Sequence, residues 1–153
     1  MRPIEAKLPA PVIAAAAGAS MKFYATAGSI AIDPSPWRMD LGIALSLASA
    51  VLALAAVATL MRSRTTIDPT RPTRATALVT RGVFRFSRNP LYLSLLMLLV
   101  AYAVRLDSLV VWLGPAAYLL YVTRFQIIPE ERALQQKFGD AFSSYRSRTR
   151  RWL

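Results

Sequence analysis

The sequence contains no cysteine and no histidine among its 153 residues. Without cysteine it can form no disulfide, thiolate zinc site or iron–sulfur cluster, and it has no thiol nucleophile. Without histidine it lacks the base of a serine-hydrolase triad and the commonest ligand of transition metals. Any catalysis must therefore use Glu, Asp, Arg, Tyr, Asn and backbone groups, and we expect no metal site.

Acidic residues are scarce as well, with 8 Asp and Glu against 19 Lys and Arg, which gives a formal net charge of +11. Such a charge would suit nucleic acid, but 55% of the residues are hydrophobic, above the roughly 45–50% of soluble domains. The composition therefore favours a membrane protein without a nucleic-acid partner. A peripheral basic protein, held electrostatically on anionic lipid or nucleic acid, is the alternative. The length predicts a single domain over residues 1–153.

Charged residues are absent from a long run over residues 41–61, which consists mainly of Ala, Leu and Val. At about 1.5 Å per residue, a helix of this length crosses the roughly 30 Å hydrocarbon core of a bilayer. Two further apolar segments, 90–104 and 108–128, are separated only by the short polar break Arg105-Leu106-Asp107. The pattern predicts a spanning helix followed later by a short helical hairpin.

The first apolar segment, residues 11–32, is rich in Ala and is interrupted by Lys22. It predicts a fourth span. Because Arg2 and Lys7 precede it, the segment also fits a cleaved signal peptide, and the sequence leaves both interpretations open.

Basic residues cluster in two stretches, residues 62–88 and 124–151, which hold 14 of the 19. The positive-inside rule places both in the cytoplasm. The expected fold is thus an all-α integral membrane protein of the inner membrane, multi-pass, with about four transmembrane helices and both termini cytoplasmic. A cytoplasmic loop, 62–89, joins the second and third spans. A C-terminal helical segment, 129–153, carries an amphipathic stripe formed by Leu134, Phe138, Phe142 and Tyr145, with a kink expected at Gly139.

The junction of the loop with the third span is the first candidate for chemistry. Asn89 is typical of a helix cap and Pro90 of a first helical position. A helix N-terminus carries partial positive charge and free N–H donors, which suit a carboxylate or a phosphate. Tyr92 would lie in the first turn at headgroup depth. The alternative is a capped membrane helix with interfacial Arg and Tyr anchors.

The second candidate is the adjacent pair Glu130 and Glu131, two of only eight acids, at the cytoplasmic end of the last span. The pair could bind a cation or the hydroxyls of a ligand, or it could simply be favourable charge at a helix N-terminus. Arg124 precedes Glu131 by seven residues, two turns on one face of a continuous helix. Arg124 would snorkel to the interface or anchor an anionic ligand group.

Together these motifs resemble the isoprenylcysteine carboxyl methyltransferase and phospholipid methyltransferase group of membrane enzymes. The first motif of that group is matched by Arg88-Asn89-Pro90-Leu91-Tyr92. The second is matched by Glu130-Glu131, Leu134, Phe138-Gly139, Phe142 and Tyr145. The resemblance covers roughly residues 65–153. It departs from the family pattern at Asn89, where many members have His, and at Ser94, where a Gly is common.

The resemblance implies a methyltransferase that uses S-adenosyl-L-methionine and acts on a membrane lipid or other apolar acceptor, through a carboxylate, thiol or amine. It implies that the cofactor pocket is lined by Asn89, Pro90 and Tyr92 and that Glu130 and Glu131 bind polar groups of the cofactor. Arg88 or the helix start would take its carboxylate. Arg124 is the predicted catalytic residue, orienting an anionic acceptor group. The alternative is a non-catalytic accessory or lipid-binding protein on the same scaffold.

Overall fold

The computed structural model describes residues 8–63 and 77–153. Within these residues the helices are α1 (Ala10–Ala27), α2 (Pro36–Arg62), α3 (Pro90–Arg105), α4 (Leu113–Val122) and α5 (Ile128–Arg148). A proline lies in the first turn of four of them, α1, α2, α3 and α5. In α1, α2 and α3, which begin after non-helical residues, its missing N–H is not needed. Among the described residues, β-type pairing is limited to one isolated bridge between Ile32 and Leu106. The all-α prediction is confirmed there.

Helix α2 is longer than its predicted span of 41–61. Among the described residues it is the one helix long and apolar enough to cross a membrane, with a mean hydropathy of 2.4 in an 18-residue window. Helix α3 is a shorter apolar helix and begins at the predicted Pro90. Helix α1 ends at Ala27, ahead of the predicted 32. The basic residues before α1 and residues 64–76 of the loop 62–89 lie outside the described residues.

Helix α2 packs closely against α3 through small residues. Its buried residues Gly42, Ser49 and Ala56 recur every seven positions, which puts them on one face. The Ser49 hydroxyl donates to the carbonyl of Ser94 in α3 at 2.7 Å. A Cβ added at Gly42 would lie 3.0 Å from Cδ of Arg105. Small side chains therefore let the two backbones approach, while α1 packs against α3 and α4.

The connection between α1 and α2 meets the connection between α3 and α4 at one end of the bundle. The Asp33 amide donates to the carbonyl of Arg105 at 2.9 Å. Arg38 forms ion pairs with Asp33 at 3.0 Å and with Asp107 at 3.5 Å. Because α3 runs from Pro90 to Arg105, the start of α3 lies at the other end. Which end faces the cytoplasm stays a prediction.

The last predicted span, 108–128, has a different internal structure. A 3₁₀ turn at Val110–Trp112 leads into α4, and a π-helical turn at Thr123–Ile127 joins α4 to α5 without a break. Pro129 has no N–H to donate one turn back, and its ring crowds that turn. The wider π turn directly before it accommodates both effects. The alternative interpretation of the glutamate pair is favourable charge at a free helix N-terminus. Because the helix is continuous here, there is no free N-terminus beside Glu130 and Glu131, and this alternative does not apply.

Candidate functional site

The approach to α3 is shaped by a 3₁₀ turn at Gly82–Arg85, which packs against α2. Gly82 has a φ of 60°, a left-handed conformation that side chains disfavour. A Cβ at this position would also lie 2.9 Å from Oγ1 of Thr59. Glycine thus allows the chain to turn beside the end of α2 and enter α3.

Asn89 precedes Pro90 at the predicted helix start, but its side chain makes no cap hydrogen bond. The amide Nδ2 instead donates to the carbonyl of Arg151 at 2.9 Å. Next to it, the backbone N–H of Arg88 donates to the carbonyl of Arg150 at 3.0 Å. The prediction that Asn89 caps the helix amides is therefore wrong. Residues 149–152 run along the start of α3, and the side-chain amide of Asn89 bonds to them instead.

Tyr92 joins the two predicted motifs directly. Its buried hydroxyl donates to Oε2 of Glu130 at 3.0 Å, across 38 residues of sequence. The carbonyl of Tyr92 accepts a hydrogen bond from the Tyr118 hydroxyl of α4 at 3.2 Å. Within the part of the chain that the structure describes, the Tyr92 hydroxyl is the one hydrogen-bond donor to the Glu130 carboxylate.

Glu131 lies between two arginines. Its Oε1 accepts from Nη2 of Arg88 at 2.7 Å, and its two oxygens accept from Nε and Nη2 of Arg151 at 3.1 and 2.7 Å. The side chains of Arg88 and Glu131 are only 9% and 12% exposed. Arg88 also donates through Nη1 to the carbonyls of Arg146 and Thr149. Its Nε is buried and has no hydrogen-bond partner among the described residues.

The two adjacent glutamates therefore ionise differently. Burial, and to a smaller extent the negative charge of Glu131, raise the pKa of Glu130 to about 7 against the lowering effect of the Tyr92 hydrogen bond. Burial also raises the pKa of Glu131, but the hydrogen bonds and charges of Arg151 and Arg88 outweigh burial and hold the pKa below its ordinary value. Near neutral pH Glu130 is therefore partly protonated, while Glu131 stays an anion.

This difference predicts a pH dependence of stability. Between the ordinary glutamate pKa of 4.5 and the raised value of about 7, the folded protein holds a proton on Glu130 that the unfolded chain has lost. The free energy of unfolding should therefore fall as pH rises through this window. Thermal unfolding in detergent at several pH values between 5 and 7.5 measures the slope, which Glu130→Gln should reduce. Glu131 contributes little there, since its pKa has the ordinary value of 4.5 in the unfolded chain and lies lower in the folded protein. An unchanged slope in the variant would contradict the raised pKa.

Sequence reasoning missed two residues that hold this site. Tyr118 lies within an apolar run, where the only signal is that a buried Tyr hydroxyl needs a partner. Arg151 was one of several basic residues after α5, and its contact with Glu131 spans 20 residues. Two predicted features were found: Phe142 and Tyr145 of the stripe are buried, and Gly139 kinks α5 with a φ of 51°.

Arg124 lies in the π-helical turn, and its residue is exposed. Its guanidinium is 5.5 Å from the ring centroid of Phe125. The helix is continuous from Arg124 to Glu131, as the shared-face prediction required, but the wider π turn between them changes the register. Its role with an anionic acceptor stays a prediction.

Comparison with known proteins identifies the family of this chain. The family model described as phospholipid methyltransferase matches residues 37–141. This chain belongs to the phospholipid methyltransferase family. The match includes Arg88–Tyr92 and the second motif from the glutamate pair to Gly139, while Phe142, Tyr145 and Arg151 lie beyond it.

A relative of this phospholipid methyltransferase family member is an uncharacterized protein of Haemophilus influenzae. The two are 43% identical over 63 residues, which are 41% of this chain and 100% of the relative. No solved structure matches the chain. Within residues 8–63 and 77–153, no group of three or more acidic side chains is arranged to hold a metal ion.

Proposed function

We propose that this protein transfers a methyl group from S-adenosyl-L-methionine to a membrane lipid or other apolar acceptor. The observation that carries the proposal is the direct contact between the two motifs. The Tyr92–Glu130 hydrogen bond and the Arg88–Glu131 ion pair hold the start of α3 against the start of α5. A cluster of this kind, with both charges at the end of an apolar bundle, suits a ligand that is itself zwitterionic.

The polar atoms that are left without partners fit the amino-acid half of such a cofactor. Arg88 Nε is a buried donor without a partner in the described part of the chain, and it suits a carboxylate. The Glu130 carboxylate accepts only the Tyr92 hydrogen bond there and suits an ammonium or ribose hydroxyls. Glu131, by contrast, has both oxygens taken by arginines. We therefore assign Glu130 to direct ligand contact and Glu131 to holding Arg88.

When bound, the cofactor would supply an electrophilic methyl carbon, whose bond to sulfur breaks as its bond to the acceptor forms. Alignment and exclusion of water are the main demands of such a displacement. An anionic carboxylate or thiolate acceptor needs no base, and Arg124 would orient it. An amine acceptor must lose a proton, and the Glu130 carboxylate, with its pKa raised to about 7, is the group able to take it.

We further propose that the reaction takes place at the cytoplasmic face of the inner membrane, in a protein with about four spans. Helix α2 presents a large apolar surface outward, including Leu47, Val51 and Leu54, as expected of a surface that faces lipid. Both basic stretches would then lie in the cytoplasm. A lipid acceptor would enter sideways between the spans, with its reactive head at the interface.

Calorimetric titration of the detergent-purified protein with S-adenosylhomocysteine tests the proposal. We expect saturable binding with a Kd below about 1 mM, in the range of enzyme substrate affinities. Adenosine is the matched control ligand because it lacks the carboxylate and ammonium assigned to Arg88 and Glu130. It should bind at least about tenfold more weakly, about 1.4 kcal/mol. Absence of S-adenosylhomocysteine binding at millimolar concentration would refute the methyltransferase assignment.

A further inference from the structure

Gln126 is a buried polar residue that the site described above does not use. It lies in the π-helical turn Thr123–Ile127 and is only 6% exposed. Its Nε2 donates to the carbonyl of Leu8, just before α1. Its Oε1 is buried and has no hydrogen-bond partner in the described part of the chain. If the side-chain amide were flipped, Oε1 would face the carbonyl oxygen of Leu8, and the N–H₂ group would have no acceptor. The contact with Leu8 therefore shows that the oxygen is the unpaired atom.

The position of Gln126 relates it to the site. It precedes Glu130 by four residues, which is close to one full turn in either an α-helix or a π-helix, so the two residues lie on nearly the same face of the helix. Its neighbour Ile127 belongs to the same buried cluster as Tyr92, whose hydroxyl contacts Glu130. Gln126, which carries the unpaired oxygen, therefore lies about one helical turn before Glu130 along the chain. Turns of π-helix frequently occur at functional sites.

Buried side-chain polar atoms without partners are rare in this protein. Across residues 8–63 and 77–153 there are two, Arg88 Nε and Gln126 Oε1. The first belongs to the cluster at the start of α3, and the second lies one turn from Glu130. An unpaired buried acceptor costs folding free energy and is retained where something else satisfies it. These two atoms are of opposite kind: the donor belongs to the arginine that pairs with Glu131, and the acceptor belongs to a residue one turn from Glu130. Such a pair suits a ligand that carries both an acceptor and a donor.

We propose that Oε1 of Gln126 binds ligand in this site by accepting a hydrogen bond from an N–H or O–H group. The inference rests on the proposed function and extends it, because it names a further binding residue and the chemistry that it recognises. The donor belongs either to the cofactor, through its amino or hydroxyl groups, or to the head of the acceptor lipid. A site built around such an acceptor atom discriminates against analogues that lack the donor.

The test compares Gln126→Met, which keeps the length of the side chain and removes its polar atoms, with Gln126→Glu, which keeps an acceptor oxygen. Gln136→Met is the matched control, since Gln136 is exposed on α5. One arm is calorimetry with S-adenosylhomocysteine. The other is the rise in Tm on adding phosphatidylethanolamine, whose head carries N–H donors, relative to phosphatidylcholine, whose head carries none.

If the donor belongs to the cofactor, Gln126→Met should lose about tenfold in S-adenosylhomocysteine affinity, which Gln126→Glu restores to within about threefold. If it belongs to the lipid head, that affinity is kept and the preference for phosphatidylethanolamine is lost instead. The inference is overturned if both readouts are unchanged in Gln126→Met. If Gln126→Met does not fold, Gln126→Glu provides the test. The inference is then overturned if Gln126→Glu loses more than threefold in S-adenosylhomocysteine affinity, or if its Tm preference for phosphatidylethanolamine falls more than threefold. Wild-type protein that fails to bind S-adenosylhomocysteine would instead refute the proposed function.

Discussion

Replacing Glu130 with Gln should lower the affinity for S-adenosylhomocysteine by about 10- to 100-fold at pH 8, without loss of the fold. Hydrogen bonds to a charged group contribute about 1.5–3 kcal/mol, which corresponds to a loss of this size. The Tyr92 hydroxyl can still donate to the amide oxygen, so the side chain should keep its place. Because the pKa of Glu130 is about 7, the wild-type carboxyl is largely protonated at pH 6, and the difference between variant and wild type should shrink there.

Asp140→Asn provides the matched control for this experiment. Asp140 is an exposed acid on the same helix, so its replacement makes the same change of net charge away from the site. Calorimetry should give Asp140→Asn the affinity of the wild type at both pH values. A Glu130→Gln variant that binds within about threefold of the wild type at pH 8 would show that Glu130 does not contact the ligand.

Replacing Arg88 with Ala should lower the free energy of unfolding by about 3–5 kcal/mol, the usual cost of removing one partner from a buried ion pair. Glu131, 12% exposed in its side chain, would keep only Arg151. The carbonyls of Arg146 and Thr149 would lose their donor at the same time. Thermal unfolding in detergent should show a Tm lower by roughly 10 °C.

Two variants check the cause of this loss. Arg85→Ala removes the same charge at an exposed position three residues earlier and should change stability by less than about 0.5 kcal/mol. Arg88→Lys keeps the charge but not the planar arrangement of donors, so it should recover only part of the loss. Equal Tm values for Arg88→Ala and Arg85→Ala would mean that the contacts of Arg88 with Glu131 and the two carbonyls contribute little.

Local signals in the sequence located the helices well. The uncharged run 41–61 lies inside α2, and Pro90 marks the first residue of α3. Gly139 marks the kink of α5. Each of these features depends on the residue itself and on neighbours within a turn or two. Pro129 was less informative, because a proline typical of a helix start lies here within a continuous helix that a π turn accommodates.

The sequence motifs also indicated which residues meet, though not how they are paired. Arg88, Tyr92 and the two glutamates were all expected in one pocket, and the structure brings them into contact. Equal roles were expected for the two glutamates. Their partners differ because Tyr92, inside α3, contacts Glu130, whereas Arg88, just before α3, contacts Glu131.

The sequence by itself determined an all-helical chain of apolar segments, its concentration of basic residues, and the two motifs that assign it to a methyltransferase family. These are properties of composition and short spacing, which a chain carries before it folds. Only the tertiary structure decided that residues 149–152 take the amide of Asn89, that Arg151 neutralises Glu131, and that Gln126 keeps an unpaired oxygen. Those outcomes depend on which groups from distant segments the fold brings within hydrogen-bond distance, because every buried polar atom needs a partner.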